Sequence, residues 1–219
     1  MDFNRASVSR VLVAWGVTLI GLLVLQSAAE VPSPTRARDA LTSVKILNDA
    51  WNLENNAMLR SSAFAKKADE EGYGPVASLF RAAAQSQQVH ARNLATALKK
   101  LGQQPEAVLE NFEVNSTEEN LRAEIALHLS YEAEAFPTMV SALKRENFVA
   151  ARRAMGDASG TELSLVKYFT EAAEHIGTSR NSDRVTYYVC HQCGYMTRSA
   201  NFRVCKVCYH FREKHEAVS

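Results

Sequence analysis

All four cysteines of the chain lie within residues 190–208, as two C-x-x-C pairs with eleven residues between them. Each pair aims two sulfurs at one point, and two such knuckles complete a tetrahedron of thiolates around a metal ion. Cys190, Cys193, Cys205 and Cys208 are therefore the expected ligands of one Fe or Zn ion. Two disulfides are the competing reading, and four cysteines would allow three pairings.

The start of the chain bears on that choice. Arg5 and Arg10 precede an uninterrupted apolar run over residues 11–25, and Ser27, Ala28 and Ala29 place small residues before Glu30. A positive segment, an apolar segment and a small-residue cleavage site predict a secretory signal peptide over residues 1–29. An uncleaved membrane anchor is the alternative, since residues 11–29 carry no charge. Both readings put the rest of the chain outside the cytoplasm, in the periplasm or an equivalent exported compartment. That compartment is oxidising and favours disulfides, but the knuckle spacing suits a metal better.

From about residue 40 to residue 176 the apolar residues recur with helical period. "VPSPTRARD" (31–39) reads as a proline-punctuated lead-in. The first stripe is Val44, Leu47, Trp51, Glu54, Met58, Ser61, Ala65 and Ala68, and "EGYGP" (71–75) turns the chain. The second stripe runs Val76, Leu79, Phe80, Ala83, Gln87, His90, Leu94, Leu98 and Leu101, and Gly102 ends it. A connection over 103–115 leads to Ser116 and Glu119, a capping box for a third helix. That helix carries Leu121, Ile125, His128, Glu132, Ala135, Met139 and Leu143, with a kink expected at Pro137. A short joint near 145–147 leads to a fourth stripe: Ala151, Met155, Ala158, Glu162, Leu165, Phe169, Ala172 and Ile176. Two helical hairpins joined by one long crossover describe a ferritin-like four-helix bundle. The expected plan is mainly α: a bundle over 35–176, a linker over 177–186, and a small rubredoxin-like or zinc-ribbon metal domain over 187–219.

The net charge of +1 gives no sign of a nucleic-acid partner. Residues 177–219 hold seven Lys/Arg against three acids, whereas residues 30–176 carry −4. The two parts are thus expected to attract, within a chain or across a homodimer. Arg198, Arg203 and Lys206 are candidates for steering a redox partner protein towards the knuckles.

"LENNAMLRSSAFAKKADEEGYGPVASLFRAAAQSQQVHARN" (53–93), "ENLRAEIALHLSYEAEAFPTMVSAL" (119–143) and "YVCHQCGY" (188–195) together resemble rubrerythrin. The resemblance spans roughly residues 40–210. It implies dimers, an iron-sulfur knuckle that carries electrons, and two irons in the bundle that reduce peroxide. The implied bundle ligands fall on Glu54 in the first helix and on Gln87 and His90 in the second. In the third they fall on His128 and Tyr131, counting back from Pro137. In the fourth they fall on Thr161 and Ser164, or on Glu162 and Leu165 one residue along. Only Glu54 and His90 keep the family residue type. An iron pair needs anionic oxygens, and amide, phenol and hydroxyl groups are weak substitutes. The usual iron pair is therefore not expected to assemble. Glu54, His90, His128 and Glu162 are candidates for a single residual metal, and Glu132, Glu134 and Glu162 for a rebuilt pair.

At the second knuckle, Tyr209 stands where the family has glycine. A positive φ there would strain the backbone. His191, His210 and His215 read as exposed tail residues, since four thiolates already fill the shell. The expected function is single-electron transfer through an iron held by the four cysteines. The alternatives are a non-haem iron peroxide reductase and an assembly subunit with a zinc clip.

Overall fold

The chain's helical stripes pack as two hairpins in a computed structural model, which describes residues 34–219 apart from 146–147. Side chains are described from residue 42 onward, so the signal-peptide reading lies outside the described residues. Among the described residues no helix is long and apolar enough to cross a membrane.

Helix α1 spans Pro34–Glu70, α2 Gly74–Lys100, α3 Thr117–Ser130, α4 Phe136–Lys144, α5 Val149–Glu174 and α6 Ile176–Ser179. The first helix begins inside the expected lead-in, because proline is tolerated in a helix's first turn, where no intrahelical N–H bond is lost. Gly72 (φ +80°) turns the chain between α1 and α2, and Gly102 (φ +74°) ends α2. Both adopt the left-handed conformation that favours glycine. The Ser116–Glu119 capping box forms at α3, with each side chain bonded to the other residue's backbone N–H.

The third stripe departs from expectation. A π-helical turn over Tyr131–Ala135 joins α3 to α4 and ends just before Pro137. Such a turn inserts one residue into the helical count and shifts the face downstream. Leu121, Glu124 and His128 are buried before the turn, Tyr131 at its start, and Phe136 and Leu143 after it. Glu132 is only half-buried and Glu134 is exposed. Of the three residues of a rebuilt metal pair, Glu132, Glu134 and Glu162, only Glu162 is buried. On α5 Thr161 (0% exposed), Glu162 (1%) and Leu165 are buried, whereas Ser164 is only half-buried.

The connection over 103–115 runs beside α1 on a ladder of amides. Asn48, Asn52 and Asn56 stand one helical turn apart. Asn48 Oδ1 accepts from Glu106 N (2.7 Å). Asn52 accepts from Val108 N and donates to Glu106 O. Asn56 accepts from Glu110 N and donates to Val108 O. Each asparagine thus serves backbone groups that a strand partner would otherwise satisfy.

The C-terminal segment forms a three-stranded antiparallel sheet in the order β2-β1-β3, from β1 Tyr187–Cys190, β2 Met196–Thr197 and β3 His215–Val218. It belongs to the same compact unit as the helices, Ser33–Ser219. Tyr187, Val189 and Met196 enter one apolar core with Phe64, Leu79, Phe80, Leu165 and Phe169 of the bundle. Arg184 pairs with Asp69 (2.7 Å) and Arg198 with Glu171 (2.5 Å), so the basic tail and the acidic bundle do meet within one chain.

Candidate metal centre

The four cysteines gather at the end of β1 and in the loop before β3. All are free thiols, and their sulfurs lie within 4.8 Å of one another. Cys190 Sγ is 3.6 Å from Cys208 Sγ, and Cys193 Sγ is 3.5 Å from Cys205 Sγ. A tetrahedron with metal–sulfur bonds near 2.3 Å has edges of about 3.8 Å, whereas a disulfide would hold two sulfurs at about 2.0 Å. The cluster therefore fits one tetrahedral ion.

The two knuckles repeat one backbone pattern. Gly194 N donates to Cys190 O (2.8 Å) and Cys190 N to Tyr195 O (2.9 Å). In the second, Tyr209 N donates to Cys205 O (3.1 Å) and Cys205 N to His210 O (2.7 Å). Gly194 has φ +80° and Tyr209 φ +60°, so tyrosine does occupy a left-handed position. That conformation costs a residue with a Cβ about 1–2 kcal/mol. The Tyr209 side chain is 77% exposed and has little packing to lose. Tyr209→Gly should therefore stabilise the module by about 1 kcal/mol, seen as slower metal release to a chelator. Faster release would mean that the ring's contacts outweigh the strain.

Helix α2 holds the first knuckle by its carbonyls. Ser86 Oγ donates to Gly194 O (2.7 Å), and His90 Nε2 lies 3.0 Å from Cys193 O. Asn93 Nδ2 donates to Gln192 O (2.7 Å), and Arg92 to His191 O. Four consecutive carbonyls thus meet four side chains of one helix. A Cβ on Gly194 would overlap the His90 ring and lie 2.9 Å from Ser86 O, so the close approach itself requires glycine.

The histidines near the knuckles do not all read as a tail. His215 stands in β3 opposite Cys190, and its ring packs edge-on against Phe202 at 4.6 Å. His191 faces Glu216 (3.1 Å). Among the described residues the cysteines alone form a group of three or more His, Cys, Asp or Glu side chains close enough to share an ion.

Within the bundle, Glu54, His90, His128 and Glu162 are all buried but meet as two pairs rather than around one point. His90 Nδ1 faces Glu54 Oε1 at 3.1 Å. His90 Nε2 lies near the Cys193 carbonyl and Thr161 Oγ1 (3.1 Å). Because Thr161 donates to Ala158 O, its oxygen is left to accept from His90. Burial would lower the pKa of His90, but the Glu54 charge overrides it and raises it.

His128 sits between two carboxylates. Its Nδ1 is 2.6 Å from Glu162 Oε2 and its Nε2 is 3.2 Å from Glu124 Oε2. Gln87 lies 3.4 Å from the same Nε2, and the ring stacks on Phe169. Burial disfavours the imidazolium, yet the Glu162 and Glu124 charges outweigh it and raise the His128 pKa to about 10. Burial pushes the Glu162 carboxyl up, against the pull of the His128 charge. Glu124 goes the other way. Burial would raise it, but His128 and Arg60 hold it below the usual carboxylate range. Arg60 Nε donates to Glu124 Oε1 at 3.0 Å.

Glu124 and Arg60 lie off the stripes that the helical period picks out. A signal for them is present all the same: Glu124 stands one turn before His128, and Arg60 one turn after Asn56. Several acceptor oxygens of this core keep no hydrogen-bond partner, among them Glu54 Oε1, Gln87 Oε1 and Glu162 Oε1.

A four-helix bundle with one long crossover, joined to a two-knuckle cysteine site, defines a ferritin-like protein with a rubredoxin-like metal module. The family model described as Rubrerythrin matches residues 45–164, more than half of the chain, and the chain belongs to the rubrerythrin family. It is 24% identical to Rubrerythrin-2 of Clostridium acetobutylicum over 182 residues, which cover 82% of this chain and 98% of that one. It is 29% identical to a putative rubrerythrin of Methanocaldococcus jannaschii over 166 residues, 70% of this chain and 81% of the relative. Among solved structures, fully reduced, all-ferrous nigerythrin superposes with a TM-score of 0.73 at 22% identity, covering 89% of this chain and 91% of that one. Desulfovibrio desulfuricans bacterioferritin superposes at 0.62 with 17% identity, over 78% and 99%. Family membership points to iron-based redox function.

Proposed function

We propose that this is an exported single-electron carrier whose redox centre is an iron held by Cys190, Cys193, Cys205 and Cys208, and whose bundle does not hold the family's iron pair. The pairing of Glu124 and Glu162 with His128 and Arg60 carries the second half of that reading. Donors of one ion at about 2.0–2.2 Å cannot stand more than about 4.4 Å apart. No three bundle carboxylates and imidazoles approach that closely among the described residues. The donor set does not fit two irons.

An iron at the knuckles supplies one electron at a time, between its ferric and ferrous states. The chain's own residues do the rest. The carbonyl clasp of α2 fixes the first knuckle, and Tyr195 packs against the sulfurs. Cys208 is the least buried of the four ligands and marks the side a partner protein approaches. Arg203 and Lys206 are exposed near it and would steer an acidic partner. Arg198 is tied to Glu171 and stacked on Tyr168, so it serves the module's docking to the bundle instead.

The unpartnered oxygens of Glu54, Gln87 and Glu162 favour a second reading, peroxide reduction at a bundle metal. Metal analysis with a reductive titration separates the readings. One iron per chain, one reducing equivalent and no peroxide turnover are expected of the carrier. Two further irons with turnover would establish the reductase, and one colourless zinc would establish the assembly subunit. Export rests on Arg5, Arg10 and the apolar run over 11–25. It predicts a mature chain that begins near Glu30 in the exported fraction.

A further inference from the structure

Arg60 continues the ladder of Asn48, Asn52 and Asn56 by one more turn, but it reaches inward. Its side chain is 8% exposed. Nε donates to Glu124 Oε1 at 3.0 Å, and Nη1 reaches Glu110 Oε2 of the connection at 3.4 Å. Against burial, which lowers it, the buried Tyr131 phenol is near enough to help raise the guanidinium's pKa, and Nη2 is buried without a hydrogen-bond partner. Three oxygen-bearing side chains from three parts of the chain therefore surround one cation that the protein itself provides. Glu124 then faces His128, and His128 faces Glu162. A buried carboxylate is tolerable only with a partner charge, and in a metal-binding bundle that charge comes from the ions.

We propose that the Arg60 guanidinium is a built-in substitute for a divalent cation, held in an oxygen cage of Glu110, Glu124 and Tyr131, and that it closes this side of the bundle to metal. The inference rests on the reading that the bundle holds no iron pair. It adds which residue does the excluding and where an ion would sit if that residue were gone. Guanidinium suits the role because it stays charged at any ordinary pH and offers several donors in a fixed fork. Removing it leaves Glu124 buried with one partner fewer, facing Glu110 across the space the side chain filled.

The test uses the full mature chain with zinc saturating the cysteine site, so that only the bundle is free to respond. Manganese(II) is the probe, because it prefers oxygen donors and reports free ion by electron paramagnetic resonance. Wild type and Arg60→Lys should bind no manganese in the bundle, and their melting temperatures should not move. Arg60→Leu should melt lower, bind one manganese per chain under conditions where wild type binds none, and regain stability as it does so. Arg60→Gln, which keeps a hydrogen bond to Glu124 without the charge, gives the same readout if the leucine variant fails to fold. A folded Arg60→Leu or Arg60→Gln that ignores manganese would overturn the role of Arg60 alone. Manganese binding by the wild-type bundle would overturn the metal-free reading as well.

Discussion

Cys190→Ser is expected to abolish metal binding at the knuckles while the helices remain folded. Cys190 is fully buried, its sulfur lies 3.6 Å from that of Cys208, and its carbonyl accepts the turn-closing bond from Gly194 N. A structural thiolate site contributes roughly 10–16 kcal/mol of apparent binding energy in small metal modules. A hydroxyl in place of one thiolate removes a large part of that. The strands are short and their order depends on the knuckles, so amide hydrogen exchange should become fast over β1, β2 and β3. Helical circular dichroism should stay near the wild-type value, because Leu47, Leu94, Leu98, Met155 and Ala158 pack in a core without the cysteines. The melting temperature should still fall, since Tyr187, Val189 and Met196 contribute to the other bundle core. Loss of most helical signal would show that the bundle cannot stand without its metal module.

His128→Gln is expected to destabilise the bundle by about 3–5 kcal/mol, the cost of removing one partner from a buried ion pair. Glu162 and Glu124 would both lose the charge that faces them at 2.6 and 3.2 Å. The pH profile distinguishes this cause from simple repacking. The folded pKa of His128, about 10, lies above the unfolded value near 6.5. Its contribution is whole below about pH 6.5 and is lost as pH rises through 10. Wild type should therefore lose on the order of a few kcal/mol between pH 6.5 and 10, and the variant much less over the same range. Parallel stability curves for the two proteins would mean that His128 is held neutral and that its charge plays no part.

Much of the fold is legible in the sequence because helical stripes and caps are local. The second stripe is buried from Val76 to Leu98, and the Ser116–Glu119 box forms as its spacing requires. The third helix departs from its stripe for an equally local reason. Pro137 predicts a kink, but a π turn stands before it, and Glu132 of the expected stripe is only half-buried. Period counting assumes 3.6 residues per turn throughout and cannot see that turn.

The cysteine site is legible from spacing alone, since a knuckle is a short-range object. The bundle core is not, because its chemistry depends on pairs between helices. Glu124 lies off the third stripe of the sequence; in the fold His128 and Arg60 meet it. The clasp between α2 and the first knuckle joins residues about a hundred positions apart, and only the folded chain brings Ser86 and His90 to Gly194 and Cys193.

Diffraction at the iron absorption edge, from crystals of protein purified from its native compartment, tests the central claim most directly. One anomalous peak per chain is predicted, inside the tetrahedron of Cys190, Cys193, Cys205 and Cys208, with none among the helices. A pair of strong peaks between Glu54, His90, His128 and Glu162 would contradict it.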